Sequence, residues 1–177
     1  MRLHYTLEFS NLIQIFMKKI FSIFLVAVAT VLFVNVAGAQ ERGQQAVGLN
    51  FEIGSGESYT NYGLGFKYQY NIMDNFRVEP SFTYFFKKDH ATTWDMTANL
   101  HYLIAPADQM YFYPIVGFGL TNVDTDWSDS NTKFAFNFGF GAEYMITDVI
   151  GLNCEYKYRI VDNWSRSHFT FGAVFKF

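Results

Sequence analysis

From Ala46 to the end of the chain, apolar and polar side chains alternate with a period of two almost without interruption. Successive side chains in such a run point to opposite faces, so the pattern is typical of half-buried β-strands and not of amphipathic helices. Segments of about ten alternating residues separated by polar turns are also typical of transmembrane barrels. The alternation therefore predicts an all-β chain.

The alternating region divides into eight strands, each with an aromatic or aliphatic face and a small or polar face. In the sixth strand, Phe136, Phe138 and Phe140 share one face, while Asn137 and Gly139 share the other. No convincing helical stretch remains between the strands, and we expect neighbouring strands to be antiparallel and joined by turns. This predicts an eight-stranded, up-and-down barrel.

Prolines fall inside two of these strands, at Pro80 in the third and Pro114 in the fifth. Proline has no backbone N–H to donate to a neighbouring strand, so within sheets it is confined to edges and bulges. Because the alternation continues on both sides of each proline, we expect a β-bulge at both positions.

Side-chain volume indicates which face points outward. An eight-stranded barrel has an interior just wide enough for side chains to fill, and the aromatic face is too bulky for it. The other face carries glycines at 48, 63, 65, 117, 119, 139, 141, 151 and 172. A soluble barrel with its apolar face inside is therefore disfavoured. We expect the aromatic face to contact lipid and the barrel to be closed, since open sheet edges are not tolerated in hydrocarbon.

The connections alternate in length. Those after even strands are short, at 73–75, 105–109 and 147–148, and those after odd strands are mostly longer, at 55–61, 88–92, 122–132 and 162–167. Outer-membrane barrels have short periplasmic turns and longer outer loops. The pattern predicts a periplasmic N-terminus, with an extracellular ligand bound through loops 55–61, 122–132 and 162–167.

The first part of the chain reads as a helical signal peptide. Two lysines follow Met17, an apolar run covers 20–36, and a small-residue Ala-Gly-Ala site ends at Ala39. This order is typical of a secretory signal, so we expect 1–39 to be removed by cleavage between Ala39 and Gln40. Met17 is an alternative start. The barrel domain would then cover 40–177, and the competing interpretation is an uncleaved membrane anchor.

Composition excludes several other classes. Only 16% of residues are charged and the formal net charge is −3, so the basic stripe expected of a nucleic-acid partner is absent from the sequence. Cys154 is the single cysteine and cannot form an intrachain disulfide or a thiolate metal site alone. We expect no cofactor and no metal.

Three stretches carry a family resemblance: 113–119 (Tyr-Pro-Ile-Val-Gly-Phe-Gly), the glycine-rich 139–148, and 152–158. With them the chain resembles the small outer-membrane β-barrels of the OmpA/OmpX type, within the broad family of outer membrane protein beta-barrel domain or porin-family proteins. The resemblance implies an integral position in the outer membrane lipid bilayer of a Gram-negative bacterium. It also implies insertion by the barrel-assembly machinery, which reads a terminal aromatic residue such as Phe177.

The inward face carries charges of both signs. The acids are Glu52, Glu79, Asp95, Glu143 and Glu155, and the bases are Lys67, Arg77, Lys87, Lys133, Lys157, Arg159 and Lys176. A lining of one sign would indicate an ion-selective pore. Mixed signs in a narrow interior favour a lumen closed by salt bridges, because a buried charge is costly unless paired. We expect Glu143 to pair with Lys157 or Arg159 on the adjacent strand.

These features favour a structural or surface-interaction barrel without enzymatic activity. A narrow porin-like channel for small solutes is the main alternative. A third hypothesis, an outer-membrane lipid-modifying enzyme, depends on a candidate Ser/His/Asp set near the outer rim, formed by Asp89, His90, Ser165, Ser167 and His168.

Overall fold

The computed structural model describes residues 42–56, 60–88, 91–125, 128–162 and 165–177. All regular structure in these ranges is β-strand, namely β1 Gln45–Ser55, β2 Thr60–Met73, β3 Phe76–Lys88, β4 Ala91–Tyr102, β5 Ile104–Ala107, β6 Met110–Thr125, β7 Ser128–Met145, β8 Ile150–Val161 and β9 Arg166–Lys176. No helix long and apolar enough to cross a membrane occurs in the described part of the chain.

The strands close into a single barrel. Apart from β4 and β5, which do not pair with each other, each strand pairs antiparallel with its neighbour in sequence. The first strand β1 pairs with the last strand β9, and β4 pairs directly with β6. The short β5 continues the line of β4 beyond a break at Leu103. It pairs with β6 in the β4 register at Ile104 with Phe112, and the register shifts by one residue before Ala107 with Met110. Counting β4 and β5 as one, the barrel has eight antiparallel strands, which confirms the predicted fold class.

Side chains alternate across the barrel wall as the sequence predicts. In β7, Phe134, Phe136, Phe138 and Phe140 are exposed on the outside, while Ala135 and Asn137 are fully buried within. The same exchange of exposed apolar and buried polar residues recurs in β1, β2 and β8. The protein therefore presents an aromatic and aliphatic outer surface around a polar interior.

The predicted β-bulges at Pro80 and Pro114 are wrong. Pro80 pairs with Ala98 in an uninterrupted β3–β4 register, and the β2–β3 pairing resumes in the same register on either side of it. Pro114 pairs with Phe140 and lies beside the β4–β5 break, where Leu103 donates its N–H to the carbonyl of Asn75 at 2.7 Å. Each proline thus lies where the ladder has a gap, so its missing N–H is accommodated without the extra residue that a β-bulge would insert.

The two ends of the barrel differ. One end, here called the turn end, holds the tight connections at 74–75, 108–109 and 146–149. The other, the loop end, holds the connections that follow β1, β3, β6 and β8. Most of the predicted loop 122–132 is wrong, because β6 continues to Thr125 and β7 begins at Ser128. The predicted loops 55–61 and 162–167 are likewise shortened, by Thr60 at the start of β2 and Arg166 at the start of β9.

The β6–β7 hairpin extends beyond its neighbour at the loop end. The β6–β7 register reaches Thr125 with Ser128, whereas the β7–β8 register begins only at Ala135 with Val161. The segment 128–134 of β7 is thus paired with β6 past the point where β8 ends. We call the part of the hairpin from 122 to 134 the projecting hairpin.

Phe138 tests the position of the outer surface in a membrane. It is 46% exposed, pairs with Val116 in β6 and Tyr158 in β8, and lies midway along the barrel wall. We expect Phe138→Arg to lower the free energy of unfolding in phospholipid vesicles by about 2–4 kcal/mol, because a cation at the bilayer midplane is poorly solvated. Phe134→Arg, at the loop end of the wall, is the control and should cost about 0–1 kcal/mol. Urea titration measures the free energy of unfolding of both variants. Equal losses of stability would contradict the placement of Phe138 at the bilayer midplane.

Candidate functional site

The interior of the barrel is the only region among the described residues where many charged side chains meet. Nine of the twelve charged residues predicted to face inward are each at most 3% exposed, namely Glu52, Lys67, Arg77, Glu79, Asp95, Glu143, Glu155, Lys157 and Arg159. A buried charge is strongly disfavoured unless a charge of the other sign and additional hydrogen bonds compensate it. The partners of these groups therefore decide what the interior can do.

The middle of the interior is organised around Lys67. Its ammonium donates to Glu155 at 2.8 Å and lies 3.3 Å from Glu79. Glu155 also accepts from Lys157 at 3.1 Å and from the Tyr113 hydroxyl at 3.2 Å. Lys67 belongs to β2 and Glu155 to β8, which β1 and β9 separate, so these side chains cross the interior.

A second cluster lies toward the turn end. The Arg77 guanidinium of β3 donates to Glu143 of β7 at 2.8 Å, and Lys176 of β9 lies 3.8 Å from the same carboxylate. The expected partners of Glu143, Lys157 and Arg159, are therefore wrong. Glu143 is level with Asn153 on β8, and both bases lie further toward the loop end. There Lys157 donates to Glu155 and Arg159 donates to Asp95.

A third cluster lies toward the loop end. Glu52 is hydrogen-bonded to the imidazole of His168 at 2.5 Å and accepts from the Thr83 hydroxyl at 2.9 Å. Asp95 accepts from Arg159 and lies 3.8 Å from Arg166. The contribution of His168 and Arg166 was missed in the sequence. Extending the inward alternation of β9 from Thr170 back through His168 to Arg166 would have found both.

Glu52, Asp95 and His168 also form the one set of potential metal ligands in the described ranges, with ligand atoms within 4.8 Å of one another. Carboxylate and imidazole groups are suitable donors for divalent transition metals. However, Arg159 and Arg166 already hold Asp95. Two carboxylates facing two guanidiniums leave no excess negative charge to attract a cation, so the geometry describes an ion-paired cluster.

Apolar side chains also occupy the interior, at the turn end. Leu103, Ala105, Tyr111, Tyr113, Ile115 and Met145 form a buried hydrophobic cluster. His101 stacks on the Tyr113 ring with centroids 4.6 Å apart. The Tyr113 ring lies so close to Gly141 that a Cβ at this position would collide with it, which explains the glycine. The interior is thus packed by aromatic rings as well as filled by charges.

The structure separates the other candidate residues. Lys87, predicted to face inward, is exposed, and Lys133 is bonded at the barrel surface to the main-chain carbonyl of Asp162 at 2.8 Å. Within the candidate Ser/His/Asp set, His168 faces the interior, whereas Ser167 is hydrogen-bonded to the Tyr156 hydroxyl at 3.1 Å on the other face. Asp89 and His90 lie outside the described residues.

The comparisons with known proteins agree with this architecture. The model of the outer membrane protein beta-barrel domain family matches residues 24–177, so the chain belongs to this family of outer-membrane β-barrels. No curated protein matches the chain by sequence.

Several solved structures share the fold. Neisserial surface protein A is similar with a TM-score of 0.62 and 14% identity over 76% of this chain and 96% of that one. The N-terminal β-barrel domain of Pseudomonas aeruginosa OprF has a TM-score of 0.57 and 17% identity, covering 77% and 100%. Ail, the attachment invasion locus protein of Yersinia pestis, has a TM-score of 0.56 and 16% identity, covering 77% and 99%.

The role of Lys67 can be measured through stability. We expect Lys67→Met to lower the free energy of unfolding by about 3–5 kcal/mol, because it removes the cation between two buried carboxylates. Lys133→Met is the matched control, since its partner Asp162 is 82% exposed, and should change stability by about 0–1 kcal/mol. Denaturant unfolding of both variants in the same lipid vesicles makes the comparison. A change of similar size in the two variants would show that the central ion pairs do not stabilise the barrel.

Proposed function

We propose that the protein is a non-enzymatic outer-membrane barrel whose lumen is plugged by ion pairs and whose loop end forms a surface for interaction outside the cell. Cross-lumen pairing is the observation that carries the first part of this proposal. Bonds from Lys67 to Glu155 and from Arg77 to Glu143 join strands on different sides of the interior. An eight-stranded barrel has little space beyond what these side chains fill.

The positions of the serines support a role without catalysis. A Ser/His hydrolase needs the hydroxyl within hydrogen-bond reach of the imidazole. The Ser165 hydroxyl donates to the main-chain carbonyl of Val161 at 3.1 Å, and the imidazole of His168 is bonded to Glu52 inside the barrel. These described residues do not assemble a nucleophile and its base.

The projecting hairpin supports the interaction surface. It extends past the end of β8, and the stretch 122–132 contains Asp124, Asp126 and Asp129 but no lysine or arginine. In the proposed orientation, with the N-terminus in the periplasm, the hairpin stands outside the cell. The negative charge of these three aspartates favours a partner with a cationic surface. The names of Ail and of Neisserial surface protein A describe attachment and surface exposure, and we extend that general role to this chain.

Conductance tests the plug. We expect the wild type to show no stable single-channel conductance in planar bilayers. Glu79→Ala and Glu143→Ala should each produce measurable channel openings, because each opens space in the interior. Glu79→Ala removes one of the two carboxylates beside Lys67, and Glu143→Ala removes the carboxylate to which Arg77 donates. Asp162→Ala, which removes an exposed acid, is the control and should stay closed. A wild type that conducts steadily, with variants that leak no more, would replace the plug with the narrow-channel hypothesis.

Tag accessibility tests the orientation. We expect an epitope inserted between Asp126 and Trp127 to bind antibody on intact Gram-negative cells expressing the full chain. The same epitope inserted between Thr147 and Asp148 in a tight turn should bind only after the outer membrane is permeabilised. The reverse pattern of accessibility would place the loop end in the periplasm and overturn the proposed surface.

A further inference from the structure

The outer surface of the barrel contains a hollow near the turn end of β6 to β9. It has a volume of about 400 Å³. Its lining is almost wholly apolar and includes Phe112, Ala142, Tyr144, Leu152, Cys154 and Phe171. Most of these side chains are exposed on the outer surface, whereas Glu143 and Asn153, which also line the hollow, are buried on the interior side.

The strand register explains the hollow. Ala142 and Cys154 are directly paired between β7 and β8, so two small side chains stand side by side at its floor. Phe112 pairs with Ala142 from β6, and Phe171 pairs with Cys154 from β9, which places a large ring on each side. The pair Tyr144 and Leu152 closes the side toward the turn end, leaving a rimmed depression.

A depression in this position is continuous with the surface that contacts the bilayer. Water is not a stable occupant, because the lining offers almost no polar atoms for it to bind. An acyl chain fits both the shape and the apolar lining. Ala142 is three residues from the end of β7, or roughly 10 Å along the strand. The hollow therefore meets the part of a lipid chain close to its head group.

Charges at the neighbouring rim select among head groups. The turns on either side of the hollow carry Asp108, two residues before β6, and Asp148, two residues before β8, and both are exposed. The stretches 105–112 and 144–152 contain no lysine or arginine. Lys176 of β9, beside Val149, is buried and directs its ammonium to the interior carboxylate of Glu143. This sector of the rim is therefore negative, which favours a lipid with a primary ammonium group and disfavours an anionic head group.

We propose that the hollow binds one acyl chain of phosphatidylethanolamine from the leaflet at the turn end, with the lipid ammonium near Asp108 and Asp148. The assignment to the periplasmic leaflet, where an outer membrane holds its phospholipids, rests on the proposed function, in which the turn end faces the periplasm. Binding in the hollow holds one lipid molecule against β7 and β8. At this position the lipid next to the barrel is then selected by its head group.

Native mass spectrometry of the full chain tests this binding. The protein is reconstituted in nanodiscs of equal parts phosphatidylethanolamine and phosphatidylglycerol, released into mild detergent, and analysed for retained lipid. We expect the wild type to keep one phosphatidylethanolamine. Ala142→Phe fills the hollow and should reduce retention at least about fivefold. Ala98→Phe, which adds the same ring on the outer surface of β4, is the matched control and should retain lipid like the wild type.

Two further variants complete the test. Cys154→Leu fills the same hollow with a smaller change and should also reduce retention, which keeps the test valid if Ala142→Phe does not fold into a heat-modifiable barrel. The double variant Asp108→Asn with Asp148→Asn should keep the lipid but bring the ratio of the two lipids to that of the nanodisc.

Three results would overturn the inference: wild type that retains no more lipid than Ala142→Phe, loss of lipid from Ala98→Phe as well, or wild type that retains the two lipids in the supplied ratio. Native mass spectrometry of protein purified directly from cell membranes adds a further measurement. Retention of lipopolysaccharide in place of phospholipid would also overturn the proposed binding. Conductance and tag accessibility do not measure lipid retention, and lipid retention is measured on protein without an inserted tag, so failure of the proposed function is seen separately from failure here.

Discussion

The structure depends on one constraint, which is that backbone N–H and C=O groups inside a bilayer find no water to bond. Every strand must therefore pair on both sides, and pairing of β1 with β9 removes the last open edges of the sheet. Closure in turn fixes the width of the interior, because eight strands leave room only for side chains. The same constraint places aromatic and aliphatic residues on the outside and polar residues on the inside, which is the reverse of their arrangement in a soluble domain.

Within that fixed width, the interior combines two kinds of packing. Toward the middle and the loop end, the carboxylates of Asp95 and Glu155 meet cations from other strands, and Glu52 is hydrogen-bonded to the imidazole of His168. At the turn end, Tyr113 and its apolar neighbours fill the space instead. Salt bridges of this kind add little to stability when compared with well-packed apolar groups, but removing one partner is costly because the other remains buried. The buried charges of the interior thus depend on one another: each must be present if its partner is, although the pairs add little to the overall stability.

Features that depend on alternation along the chain could be predicted from the sequence, whereas features that depend on position across the barrel could not. Strand number, antiparallel closure and the burial of residues such as Lys67 and Glu79 result directly from the period of two. The partner of Glu143 does not, because Arg77 reaches it across the interior, and no pattern along the chain reports distances across a barrel. The polar residues of 122–132 predict a loop, yet ladder pairing extends β6 and β7 through most of this stretch. The site of signal cleavage stays a prediction.

The central ion pairs also bear on the order of assembly. Lys67 and Glu155 are 88 positions apart in the chain, and Glu52 and His168 are 116 apart. Contacts of such long sequence separation are slow to form, because closing a long loop lowers the entropy of the chain before any favourable contact offsets that loss. A chain in which only β1 to β7 have formed holds Lys67 and Glu52 without these partners. The interior therefore matures last, and its pairing distinguishes a finished barrel from an incomplete one.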